Sequence, residues 1–139
     1  MSPFINGGVI HLTATPISEE LKIDGQLNEP QWQLAVPFPQ FKMVEPEVGQ
    51  TPTEKTEVRV LYSKNHLYIG ILCHDTSPDK VTAKSLDHDS RENDSDLVCI
   101  LLDPFQDKRN AYVFFVNARG GRSDGLAFGE HYSLNWDGI

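Results

Sequence analysis

From Glu54 onward the apolar residues of this chain recur at every second position, a period that restricts it to a fold of strands. In Lys55 to Tyr62, Thr56, Val58, Val60 and Tyr62 fall on one face while Glu57 and Arg59 take the other, which predicts a half-buried strand. The polar break Ser63 to His66 separates it from Leu67 to Cys73, where Leu67, Ile69, Ile71 and Cys73 share a side and Tyr68 and Leu72 lie opposite. The two runs read as a hairpin.

Lys80 to Asp96 crowds Asp87, Asp89, Glu92, Asp94 and Asp96 among Ser, His and Asn residues and reads as a solvated acidic loop, or a short helix followed by a loop. Leu97 to Leu102 and Ala111 to Val116 are apolar on both faces, which predicts central strands that supply the core. Asp103 to Asn110 links them as a long hairpin loop, Ala118 to Gly121 is a glycine turn, and Gly125 to Leu134 forms one further, weaker strand. Helical spacing is confined to Asn28 to Ala35, with Asn28 placed to cap, Pro30 tolerated in the first turn, and Trp32 and Ala35 on one face.

This pattern favours an all-β chain, an antiparallel β-sandwich of immunoglobulin-like or jelly-roll-like type with at most one or two short helices. Residues 1–20 are expected to be an N-terminal strand and lead-in, and residues 21–139 the sandwich. Asn135 to Ile139 still brings apolar residues with no closing turn, so the expectation is a domain truncated at its C-terminal end, its last strands missing or supplied from elsewhere.

A chain of 139 residues can bury one sizeable core, and one domain is expected. Its formal charge of -8 repels a phosphate backbone, and no cluster of Lys and Arg offsets it, which argues against nucleic acid as a partner. No apolar run reaches the length of a membrane helix, so no membrane insertion by this segment is expected. Met1 to Gly8 lacks both the basic start and the apolar stretch of an export signal. Cys73 and Cys99 each end or interrupt an apolar stretch and read as two buried thiols, or as a bridge between neighbouring strands; neither has the spacing of a zinc site.

Enzymatic chemistry finds little footing. The carboxylates fall mostly in exposed loops rather than as the converging pair that glycoside hydrolysis needs. No Ser occupies a nucleophile elbow, neither Cys has a His placed by sequence to activate it, and Gly120 to Gly125 lacks the Lys and the helix of a phosphate loop. Asp87 to Arg91 fails the EF-hand pattern, whereas Asp75, Asp103 and Asp107, at strand ends, are the candidates for calcium, with solvated loop charge as the alternative. Sugar binding asks for an exposed aromatic face edged by hydrogen-bonding side chains. Trp32, Trp136, Tyr112 and Tyr132 are the aromatics to consider, with Arg91, Arg109, Asn117 and Glu130 as edges. Trp32 and Tyr112 read as core. Trp136 as platform with Arg91 and Asn117 as edge contacts is the expected sugar site.

The stretch Ile23-Asp24-Gly25-Gln26-Leu27-Asn28-Glu29-Pro30-Gln31-Trp32 resembles the opening of the family 9 carbohydrate-binding modules. Thr56 to Tyr62, Leu67 to Gly70, Asp96 to Asp103 and Phe114 to Asn117 follow in that family's order, and together they cover most of the chain from Leu21 to Asp137. The wording of Asp103 to Tyr112 and of Asn135-Trp136-Asp137 is similar to a subgroup at the front of large exported bacterial proteins. The resemblance implies a non-catalytic β-sandwich of a secreted or cell-envelope protein that binds polysaccharide or oligosaccharide. It further implies association with xylan- or cellulose-type degradation and calcium as a structural ion. Where sugar-binding members carry a Trp before the core strand, a Glu within it and an Arg before the Val-Asn pair, this chain has Asn93, Cys99 and Phe115. The alternative expectation is therefore a structural or interaction sandwich that has lost the sugar site and packs against the rest of its parent chain.

Overall fold

Trp32 decides how the first part of the chain folds. In the computed structural model, which describes residues 11–82, 95–129, 131–134 and 138, its side chain is 3% exposed and packs with Leu21, Ala35, Leu61 and Tyr68. The indole reaches this depth because a short 3-10 turn over Pro30–Leu34 carries it, opened by Pro30 in its first turn. The indole Nε1–H donates to the Glu29 carboxylate at 3.1 Å, so burial leaves its polar edge satisfied. The sequence places a short helix here, and the turn is that element in tighter form; Glu29 rather than Asn28 stands at its start.

The described residues fall into two compact units, parting between Thr76 and Ser77. In the first unit, β1 (Thr15–Pro16), β2 (Thr56–Tyr62) and β3 (Leu67–Cys73) form a sheet in that order. β1 runs parallel to β2, and β2 and β3 make the expected antiparallel hairpin, in which Leu61 faces Tyr68 and Arg59 faces Gly70. Residues paired across a ladder share a face. Leu61, Tyr68 and Gly70 therefore line the side that the Trp32 cluster covers. The alternation is as expected, but Val58, Val60, Ile69 and Ile71, on the other face, are only half-buried. Gly70 explains the preference: a Cβ built there would lie 2.7 Å from Trp32 Cζ3 and 3.0 Å from Leu27 Cδ2. The indole fills the space a side chain would take.

A carboxylate ties the lead-in to the hairpin. Glu20 accepts the Tyr68 hydroxyl, the Ser63 hydroxyl at 3.2 Å and the His66 ring Nδ1–H at 2.8 Å. The Tyr68 hydrogen bond, with smaller contributions from Ser63 and His66, holds the Glu20 carboxyl below its usual range, and the same contact pushes the Tyr68 phenol up.

In the second unit, β4 (Leu97–Leu102), β5 (Asn110–Asn117), β6 (Arg122–Phe128) and β7 (His131–Ser133) form an antiparallel sheet in chain order. The weak final strand expected over Gly125 to Leu134 is two strands, β6 and β7, turning at Gly129. The β5–β6 turn is set by Asn117, whose side-chain oxygen accepts the Arg119 and Gly121 N–H groups at 2.9 and 2.8 Å while Gly120 supplies a φ of 85°.

β4 departs from expectation: Leu97, Cys99 and Leu101 are exposed, Leu101 at 60%. It ends the sheet order, so β5 covers it on one edge only, and the deeply buried residues are Val113 on β5 and Ser123, Asp124 and Ala127 on β6. Cys73 and Cys99 are free and exposed, neither buried nor bridged. Among the described residues the regular structure is mostly strand in two small sheets with almost no helix, and no helix there is long and apolar enough to cross a membrane.

Gly70→Ala is expected to lower stability by about 1–3 kcal/mol, the usual result of overpacking, read as a shifted urea midpoint at unchanged slope. Because the Glu20 carboxyl is depressed in the folded state, its contribution is present above the unfolded value and lost as pH falls through the folded one. Urea midpoints between about pH 3 and 6 should fall less steeply toward acid in Glu20→Gln than in the parent.

Candidate functional site

At one end of the β5–β6 pair an apolar cleft of about 150 Å³ is lined by Pro104 and Phe105 from the β4–β5 loop, Asn110 and Tyr112 from β5, and Leu126 and Phe128 from β6, among others. The ladder creates it. Tyr112 pairs with Leu126 and Asn110 with Phe128, so these four side chains share one face, and Phe105 enters from the loop beyond the strand ends. Phe105 is 73% exposed and Phe128 50%, large apolar surfaces held in water. Tyr112, read from the sequence as core, is half-buried in the wall of this cleft.

The loop that presents Phe105 is tightly fixed. Gln106 and Lys108 both adopt left-handed backbone, with φ of 55° and 57°, a region that residues with a Cβ enter at a cost. Two carboxylates hold them there. Asp103 accepts the Asp107 N–H at 3.4 Å and the Lys108 N–H at 2.8 Å; Asp107 accepts the Arg109 and Asn110 N–H groups at 2.8 Å each and the Asn110 side-chain amide at 2.7 Å. The Asn110 and Arg109 amides, with the Asn110 side chain, draw the Asp107 carboxyl below its usual range. At the far side, Gly129 N–H donates to the Arg109 carbonyl at 2.7 Å and closes the loop onto the end of β6.

This geometry bears on the calcium candidates. Calcium needs six to eight oxygens; the Asp103 and Asp107 carboxylates serve as acceptors for loop donors, and Asp75 lies two residues beyond the end of β3. Among the described residues no three His, Cys, Asp or Glu side chains converge as a metal site would require.

The expected sugar contacts divide. Trp136 and Arg91 lie outside the described residues, as do Glu130 and Asn93, and nothing is described of the Tyr132 side chain. Asn117 is half-buried at the end of β5, its side-chain oxygen engaged in the turn described above. Arg109 is exposed on the fixed loop beside the cleft. Cys99 and Phe115 face each other directly across the β4–β5 ladder. The two side chains thus share one face and present a thiol beside a phenyl ring. Desolvation pushes the Cys99 thiol up, even though the residue as a whole is exposed.

Two features escaped sequence reasoning. Phe105 gave no signal because an isolated Phe in a polar loop has no period, although the flanking Pro104 and the aspartates four apart marked a built turn. Asp124, taken with the glycine-rich turn, is a fully buried residue of β6 opposite Phe114, and its carboxylate accepts the Gly138 N–H at 2.6 Å. Its neighbours Ser123 and Gly125 concealed the strand period.

Compared with known proteins, the chain matches no family model, no curated protein and no solved structure.

Asp107→Ala removes three acceptor contacts at once. Hydrogen exchange at the Arg109 and Asn110 amides should quicken roughly tenfold or more while the β2–β3 hairpin amides keep their protection.

Proposed function

We propose that this chain is a non-catalytic, carbohydrate-binding-like accessory domain of a secreted or cell-envelope protein, associated with breakdown of xylan- or cellulose-type polysaccharide. The observation that carries the reading is the cleft of Phe105, Tyr112 and Phe128, in which exposed aromatic surface is held by a loop ordered in advance by Asp103 and Asp107. A pyranose ring has an apolar C–H face that packs on such surface, and a site already in its binding conformation loses little entropy when the ligand arrives. Support for a sandwich, immunoglobulin-like or jelly-roll-like, comes from the ordered motifs and from the two small sheets with almost no helix among the described residues.

The second reading, an interaction domain that packs against the rest of a parent chain, is favoured by one observation. Leu97 and Leu101 are exposed on β4, and the adjoining Cys99–Phe115 pair adds a thiol and a phenyl ring to the same face. Calorimetry with neutral and acidic oligosaccharides separates the two. Binding to at least one of them, weakened about fivefold or more by Phe105→Ala, is the expected result. No heat with any member of the panel overturns the carbohydrate reading and leaves the interaction reading standing.

A further inference from the structure

We infer that the ligand of this cleft is an acidic sugar, a uronic acid residue of a polysaccharide, with its ring face on Phe105, Tyr112 and Phe128 and its carboxylate toward Lys108 and Arg109. The inference rests on the carbohydrate reading and adds the charge class of the sugar.

The cleft lining is nearly all carbon. Any sugar lowered into it would lose water from its hydroxyls and find few polar partners in the lining itself. The lining amide, Asn110, is already bonded to Asp107 through its side-chain nitrogen at 2.7 Å. Polar recognition must therefore come from beside the cleft.

What stands there is positive charge in a chain that is otherwise acidic, with 12 Lys and Arg against 20 Asp and Glu. Lys108 and Arg109 are adjacent, both exposed, and follow Phe105 on the same fixed loop. Their acidic neighbours Asp103 and Asp107 are turned onto backbone N–H groups. Neither the Lys108 ammonium nor the Arg109 guanidinium forms a contact ion pair with a described carboxylate, and the Arg109 charge is only the smallest of the influences that lower the Asp107 carboxyl. The Arg109 carbonyl accepts the N–H of Gly129, next in sequence to Phe128, so the Arg109 backbone is held at the end of the strand that carries one wall of the cleft and its exposed side chain starts from there. An apolar surface on a loop whose backbone carries two adjacent exposed cations complements a ligand with an apolar ring face and one carboxylate, and a guanidinium offers that carboxylate a two-pronged hydrogen bond.

The test is calorimetry of the full chain with tri-galacturonic acid and with xylotriose at one ionic strength, repeated on the double variant Lys108→Asn/Arg109→Gln. Asn is chosen because it tolerates the left-handed backbone at that position. Tri-galacturonic acid is expected to bind about tenfold or more tighter than xylotriose, and the double variant to bring the two within about twofold. Raising salt from about 0.05 to 0.5 M should weaken the acidic ligand alone, a measurement on the parent that does not depend on the variant folding. Equal or weaker binding of the acidic ligand, or a preference that survives the double variant or high salt, overturns the inference and leaves the carbohydrate reading in place. Absence of binding by both ligands overturns both.

Discussion

The contact between the Trp32 indole and the backbone of Gly70 is the constraint on which the first unit depends. A strand residue without a side chain is ordinarily a weakness, since it packs nothing. Here its emptiness is what lets a large ring lie flush on the sheet, with Leu61 and Tyr68 on the same face. Several arrangements follow from that seat. The 3-10 turn must deliver the indole at the right height, Leu27 must close over it, and the lead-in must pass close enough for Leu21 to join the cluster and for Glu20 to reach Tyr68. A segment with little secondary structure of its own is thereby ordered by one aromatic side chain.

Strand period was the part of this fold most legible in the sequence, because alternation is a local consequence of the pleat. The β2–β3 hairpin and its polar break, the β4–β5 loop and the glycine turn fall where Lys55 to Cys73 and Leu97 to Gly121 place them. Which face is sealed was not legible. Val58 and Ile69 look like core by composition, yet the deepest residues lie opposite, because Gly70 contributes nothing to a hydrophobicity pattern while the ring that covers it is distant in sequence. β4 misled for a related reason: six apolar residues in a row describe a strand equally well in the middle of a sheet and at its edge, and only pairing distinguishes them.

The cleft was not legible as a site. Tyr112 and Arg109 stand among the residues the sequence offers for sugar, but Tyr112 reads as core and the expected site falls at Trp136, Arg91 and Asn117, while Asp103 and Asp107 read as calcium candidates with Asp75. The task of Asp103 and Asp107 is to shape a loop. It became visible only through the left-handed backbone at Gln106 and Lys108, which the aspartates hold through amides a few residues ahead of each. Phe105 acquires meaning by the same route, since its exposure depends on a loop rigid enough to keep an aromatic ring from folding back into the sheet.

Cys99 sits exposed in the middle of β4, a position that in an oxidising medium invites disulfide exchange or sulfenic acid formation. Both reactions proceed through the thiolate, and desolvation beside its apolar neighbours keeps the proton on this sulfur to higher pH than in an ordinary cysteine. Accessibility and reactivity are thus separated at one residue. The strand carries a cysteine that is exposed as a residue while partial burial of its sulfur favours the protonated, less nucleophilic form.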